Sequence, residues 1–288
     1  MLAKTALSAQ RELVIALHCS GSGAAAWRRL GETLGTAYEL LAPEHYGCDT
    51  TGPWSGDHAF TLADEAARTI ALIDATDRKV HLVGHSYGGG VALHVALERP
   101  ERIASLALYE PSAFHLLEHF GEPGAMALAE IKAIASKTGA GVVRGDYRAA
   151  AAAFVDYWSG RGAWDAIRPP LQDALIAWTP KAPLDFAALI EEQTPAGGYM
   201  HLRFPVLIIR GEHAPAPTWL IAEKLCLLLP DTRLALIAGA GHTGPLTHAA
   251  EVNALIVRHL AETTDRSSEP DTNAATGNRN VQIARKVA

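Results

Sequence analysis

Short apolar runs of strand length recur along the first 110 residues and again after residue 203. They occupy residues 13–18, 38–42, 80–83 and 103–109, and then 206–210 and 233–237. Between them the apolar positions shift to helical spacing, near 24–35, 61–75, 88–99, 218–229 and 247–261. Thr61 followed by Asp64 predicts a capping box at the start of the second helix, and Pro100 stops the third. Strands alternating with helices predict an α/β fold, a mostly parallel sheet of about six to seven strands flanked by helices. The seventh strand depends on whether residues 2–10 add an edge. In such sheets the site lies outside the carboxyl ends of the strands, where every loop discussed below begins.

The rhythm breaks between residues 111 and 202. That stretch holds helical pieces near 124–138, 146–160, 170–178 and 184–193, together with Phe154, Tyr157, Trp158, Trp164 and Trp178. Both of its ends emerge at the carboxyl edge of the sheet, which predicts a helical cap over that edge. A separate small helical domain without contact to the site is the alternative. The division expected is a core of 1–110 and 203–262, a cap of 111–202, and a polar, disordered tail of 263–288 with a short helix near 281–287.

Composition narrows the partners. The chain of 288 residues is 49% hydrophobic and 19% charged, with a formal charge of −6, which argues against a nucleic-acid partner. Cys19, Cys48 and Cys226 are too scattered for a disulfide framework and form no C-x-x-C pair, so a reduced, cytoplasmic location is expected. No secretory signal is expected from the first residues, and no apolar run has the length of a membrane span. The run from Glu44 to Asp49 lacks a second cluster at ligand spacing, and no lysine follows the glycine-rich turn in phosphate-loop fashion. Neither a metal nor another cofactor is expected.

The chemistry concentrates in Gly84-His85-Ser86-Tyr87-Gly88-Gly89, between a strand-like run and a helix-like one. A serine in so sharp a turn is held in strained backbone, and small neighbours two residues away let the strand and the helix pass. This motif resembles the nucleophile elbow of the α/β-hydrolase superfamily. So do Leu17-His18-Cys19-Ser20-Gly21 and Gly239-Ala240-Gly241-His242, and the resemblance covers roughly residues 13–262. It implies the α/β-hydrolase fold, shortened at its N-terminal edge because only about twelve residues precede the first strand, with the cap inserted after the family's sixth strand. The shortening exposes residues 38–42 as an edge, where a second copy is expected to pair.

The resemblance also implies roles. Ser86 is the nucleophile and His242 the base, while His85 supports the turn and His248 falls inside the next helix. The usual acid, an aspartate after the family's seventh strand, is missing, because the loop reads Gly211-Glu212-His213-Ala214-Pro215 with alanine in its place. Glu110, at the end of the sixth strand, stands where some haloalkane dehalogenases carry their triad acid, and Glu212 is the alternative. The oxyanion hole falls to the backbone N–H groups of Tyr87 and Ser20, the latter following a cysteine where the family usually has glycine. Trp27 is expected to pack. The activity implied is a cofactor-free serine carboxylesterase acting on a small to medium ester-like substrate, away from any membrane. Thioesterases, C–C hydrolases, lactonases and cofactor-free perhydrolases share the constellation, and a non-catalytic binding scaffold is the alternative from another class.

Overall fold

Strands buried on both faces carry unbroken apolar runs, and β1 (Glu12–Leu17) and β3 (Val80–His85) are of this kind. The computed structural model describes residues 11–268 and 283–284. β1 is followed by a 3-10 turn (Ala24–Trp27), α1 (Arg28–Leu34), β2 (Tyr38–Leu41) and α2 (Leu62–Asp74). After β3 come α3 (Tyr87–Glu98), β4 (Ile103–Tyr109), and five helices, α4 (Gly121–Val143), α5 (Tyr147–Ser159), α6 (Ala163–Ala166), α7 (Pro169–Trp178) and α8 (Ala182–Ile190). The chain then returns through β5 (Val206–Gly211), α9 (Ala216–Leu228), β6 (Thr232–Ile237), α10 (Gly244–Thr247) and α11 (Ala249–Ser268). A two-residue strand β7 (Ile283–Ala284) completes a sheet of order β2-β1-β3-β4-β5-β6-β7, every pair parallel.

Side chains alternate across the sheet with the period of two that strands impose. Leu13, Ile15, Leu17, Leu82, Leu106 and Leu108 face α2, α3 and α9 in one buried cluster. Val14, Ala16, Val83, Ala107 and Ile209 face α1 and α11 in the other, against Leu30, Val252, Ile256 and Leu260. The capping box at α2 forms as its sequence predicts, with Thr61 N donating to Asp64 Oδ2 at 2.9 Å and Asp64 N donating to Thr61 Oγ1 at 3.3 Å. β2 lies at one edge of the sheet.

Helices α4 to α8 lie against the carboxyl edge. Phe114, Phe154, Trp158 and Phe186 join the buried cluster on the α3 side. A chain of buried polar groups ties this layer to the sheet. Lys181 Nζ, just before α8, donates to Asp185 Oδ1 at 2.5 Å and to Glu65 Oε2 at 2.9 Å. Glu65 also accepts from Tyr87 OH at 2.8 Å and from Tyr46 N at 2.9 Å. Burial opposes the charge on Glu65, but His45 and Lys181 outweigh it and hold the carboxyl well below the usual range.

The structure differs from the sequence reading at the C-terminal end. Residues 263–268 continue α11 rather than opening a tail, and the helix is anchored there because Thr263 is buried and Thr264 is tied to Glu12 of β1. Thr263 Oγ1 donates to His259 O at 2.9 Å, and Thr264 Oγ1 to Leu260 O at 3.2 Å and to Glu12 Oε2 at 2.6 Å. Ile283 and Ala284, expected within a short helix, pair instead with Leu234 and Ala235 and give the β6 backbone a ladder partner. The edge strand considered for residues 2–10, and the rest of the tail, lie outside the described residues.

Lys181 offers a test of the lock between the layers. Removing it leaves two buried carboxylates facing one another, a change that destabilises proteins by about 3–5 kcal/mol. Lys181→Ala should therefore lower the urea midpoint strongly, and an unchanged midpoint would show that the buried charges are solvated in the folded state.

Candidate active site

The turn between β3 and α3 puts Ser86 in strained backbone, with φ 55° and ψ −117°. Its neighbours explain how the chain tolerates this. A Cβ on Gly84 would lie 2.6 Å from Gly88 O, and one on Gly88 would lie 2.3 Å from Leu17 O. The turn is then pinned through the Ser86 carbonyl, which accepts from Gly89 N at 2.9 Å, Gly90 N at 3.1 Å and Ser112 N at 3.0 Å. The serine hydroxyl is thus held at the carboxyl end of the sheet and cannot relax away.

His242 arrives on the loop after β6. Tyr109 OH donates to Gly241 O at 2.6 Å, and His85 Nε2 donates to His242 O at 2.8 Å, so two β-strand neighbours fix the loop backbone. Burial, and then the neighbouring His242, bring the His85 pKa down to about 3, so this ring is neutral at physiological pH. His242 Nε2 lies 2.8 Å from Ser86 Oγ, and His242 Nδ1 lies 2.7 Å from Glu110 Oε2. Glu110 accepts further bonds from Gly211 N at 2.8 Å and Thr218 Oγ1 at 3.2 Å. Because the carboxylate can only accept, the imidazole proton belongs on Nδ1, which leaves the Nε2 lone pair towards the serine.

Of the two acids weighed from sequence, the structure brings Glu110 to His242 and not Glu212. Glu110 is fully buried, whereas Glu212 is exposed and accepts from Gly239 N at 2.9 Å, bracing the loop that carries His242. Glu110 has a φ of 42°, and with Ser86 it is one of two non-glycine residues of positive φ among the described residues. Its amide still donates to Ile209 O at 2.9 Å, so the strand ladder anchors this conformation. His248, which the sequence places inside a helix, sits at the junction of α10 and α11 with its Nδ1 2.9 Å from Thr247 Oγ1.

Tyr87 is the first residue of α3, where a backbone N–H has no partner within the helix and the helix dipole favours negative charge. Ser20 borders the same cavities as Ser86, and its Oγ donates to Asp185 Oδ2 at 2.6 Å. Cys19 does not have positive φ, so cysteine replaces the family's glycine there without left-handed strain. Its thiol is pushed up to about 11 by burial, which keeps it protonated beside the serine. Trp27 is buried in the α1 layer, as a packing residue is.

Three neighbours of the site were not singled out from sequence. Trp158, noted only as one of the cap aromatics, stacks on His242 with ring centroids 4.3 Å apart and planes at 29°. Ser112 places its Oγ 3.3 Å from Ser86 Oγ, and Thr218 holds Glu110. No local signal marks them, since each contact joins distant segments; the only hint is that Ser112 follows Glu110 by two residues. Among the described residues no group of three or more His, Cys, Asp or Glu is placed to hold a metal ion, and no helix is long and apolar enough to cross a membrane.

A parallel sheet with a serine on a strained strand-to-helix turn, and a histidine on the loop after a later strand, define the α/β-hydrolase class. Residues 14–255 match the alpha/beta hydrolase family, and the chain belongs to it. Over 108 residues it is 36% identical to a 2-hydroxy-6-oxo-6-phenylhexa-2,4-dienoate hydrolase from Burkholderia cepacia, a stretch covering 35% of this chain and 37% of that protein. Over 100 residues it is 33% identical to lipase LipV from Mycobacterium tuberculosis, covering 34% of this chain and 37% of that one. The chain thus spans little over a third of the length of these curated relatives. The carboxylesterase CesB from Bacillus subtilis superposes with a TM-score of 0.68 at 20% identity, covering 88% of this chain and 85% of the other.

Buried neutral histidines make stability depend on pH. Burial is the main cause that lowers His18 to about 3, His85 to about 3 and His115 to about 4. The unfolded chain protonates these rings near the ordinary value of about 6.5, so between there and about 3 it binds more protons than the folded protein. Glu65, held low, acts in the same sense at more acid pH. Exposed His58, raised by the hydrogen bonds it donates to Asp64 and Asp57, opposes them as one surface group. The thermal midpoint should fall steadily from about pH 7 to pH 5, and a midpoint flat across that range would contradict the burial of neutral rings.

Proposed function

We propose that this protein is a serine hydrolase that cleaves carboxylic esters through an acyl-enzyme. The reading rests on one observation, the continuous chain Ser86 Oγ to His242 Nε2 to Glu110 at 2.8 and 2.7 Å. A serine hydroxyl is a weak nucleophile until a base removes its proton, and His242 Nε2 is within reach to do so as the oxygen attacks the carbonyl. Glu110 stabilises the imidazolium that forms and keeps the proton on Nδ1. The amides of Tyr87 and Ser20 receive the developing oxyanion. As the tetrahedral intermediate collapses, the C–O bond breaks and His242 returns its proton to the leaving alcohol oxygen. Water, deprotonated by the same ring, then attacks the acyl-serine and releases the acid.

The dienoate hydrolase among the relatives acts on a substrate that carries a carboxylate. No Lys or Arg is among the described residues lining the cavity at Ser86, while Glu44 and Asp49 are. That favours neutral esters over anionic dienoates and over phosphate-bearing thioesters.

The acid assignment sets the test. Glu110→Gln should keep the fold and lower kcat/KM for a p-nitrophenyl ester by roughly three to four orders of magnitude, the scale seen when a triad acid becomes an amide. Glu212→Gln should change it by no more than a few-fold. The reverse pattern would assign the acid to Glu212. Failure of a fluorophosphonate to label wild-type Ser86 would favour a non-catalytic scaffold.

A further inference from the structure

Gly89 and Gly90, which follow the elbow, answer a second steric demand. A Cβ on Gly89 would stand 2.8 Å from Pro111 Cα, and one on Gly90 would stand 3.1 Å from Ser112 O. Their bare Cα atoms let the segment after β4 lie against the first turn of α3. There it is fastened to both peptide groups of the nucleophile, since Ser86 N donates to Tyr109 O and Ser86 O accepts from Ser112 N, each at 3.0 Å. A second hydroxyl is thereby set beside the first, with Ser112 Oγ 3.3 Å from Ser86 Oγ on a residue only 1% exposed.

The proton count fixes the direction of that contact. With the imidazole proton on Nδ1, His242 Nε2 is an acceptor, so the single hydroxyl proton of Ser86 is committed to it. Ser112 is then the donor to Ser86 Oγ. Its hydroxyl makes no other hydrogen bond among the described residues. The separation is long for two hydroxyls, which usually stand about 2.7–2.8 Å apart, so this bond is weak and costs little to give up.

Ser112 also borders a space of about 20 Å³ beside Ser86, room for roughly one water, whose other walls include Ser20 and Tyr87. A carbonyl oxygen received by the amides of those two residues lies there. Asp185 borders the same space, and although Ser20 Oγ and Lys181 Nζ bond to its oxygens, a carboxylate so placed opposes a second negative charge. A further donor at this point offsets it. Resting on the hydrolase reading above, we propose that Ser112 is a catalytic residue whose hydroxyl is the third donor to the oxyanion. In the resting protein the hydroxyl donates to Ser86 Oγ. As Oγ bonds to the carbonyl carbon, its proton passes to His242 and it weakens as an acceptor, while charge gathers on the carbonyl oxygen one carbon away. The Ser112 hydrogen turns to that oxygen and stays on Ser112. The interaction is stronger in the transition state than in the ground state, the condition for raising kcat.

Replacing the carbonyl oxygen of the ester by sulfur isolates this role, because sulfur is a weak hydrogen-bond acceptor. Ser112→Ala should lower kcat for p-nitrophenyl acetate by roughly a hundredfold, the low end for loss of one oxyanion donor, with little change in KM. Turnover of p-nitrophenyl thionoacetate should fall far less, so the oxygen-to-sulfur ratio of kcat/KM shrinks. Ser112→Cys, which keeps the side-chain volume with a weak donor, should shrink the ratio likewise and serves if the alanine variant does not fold. Both esters slowed equally, with the ratio unchanged, would show that Ser112 only holds Ser86 in place and would overturn the proposal. Near wild-type turnover of the oxygen ester in either variant would overturn it as well. Either result leaves the hydrolase reading standing when a fluorophosphonate labels wild-type Ser86. Wild-type protein that is neither labelled nor active on the oxygen ester would overturn both.

Discussion

A carboxylate sealed from water must have both its oxygens hydrogen-bonded, and at Glu110 this requirement organises the carboxyl edge of the sheet. Its oxygens take Gly211 N from the end of β5, Thr218 Oγ1 from the start of α9, and His242 Nδ1 from the loop after β6. Remove the carboxylate and those three elements lose their common partner. The bond to His242 also sets which imidazole nitrogen faces Ser86, so the tautomer of His242 is decided at the end of the strand beside the one that leads into Ser86. Strain gathers at the same place. Ser86 and Glu110 end the adjacent strands β3 and β4 in positive φ, a conformation that costs of order 1–3 kcal/mol for each residue.

Much of the scaffold was legible in the sequence because a buried parallel sheet writes itself as apolar runs. Each of the six main strands lies within one or two residues of a run, and α5 and α7 end within one residue of their apolar spacing, whereas α4 runs three residues further at its start and five at its end, α8 is displaced by two to three, and the short α6 had no expected counterpart. The elbow was readable because glycines at 84 and 88 answer a local steric demand. Glu110 was reached through the family resemblance, as Ala214 stands where a carboxylate is usual and Glu110 stands at a neighbouring strand end, and the structure places it 2.7 Å from His242. What escaped was pairing across the chain. Lys181 meets Glu65 at a separation of 116 residues, and the helical periodicity around each gives no hint of the other. The polar composition after residue 262 suggested a tail, yet a buried Thr263 and the bond from Thr264 to Glu12, 252 residues away, anchor the continuing α11.

The layer formed by α4 to α8 does more than cover the sheet. Through Asp185 it reaches the hydroxyl of Ser20, through Lys181 it reaches Glu65 and the Tyr87 phenol, and through Trp158 it stacks on the ring of His242. Ser20 and Tyr87, proposed for the oxyanion hole, are therefore held partly by side chains buried where this layer meets the sheet. Stability of that boundary and geometry of the site are one problem, since charges that lock the layers also position the loop after β1.

The hydrogen bond between His242 and Glu110 can be observed directly by proton NMR. An imidazole Nδ1 proton shared with a buried carboxylate at 2.7 Å gives a resonance far downfield of the amide region. The wild type should show one such signal, kept in Glu212→Gln and absent from Glu110→Gln and His242→Ala. A signal that survives in Glu110→Gln and disappears in Glu212→Gln would contradict the account.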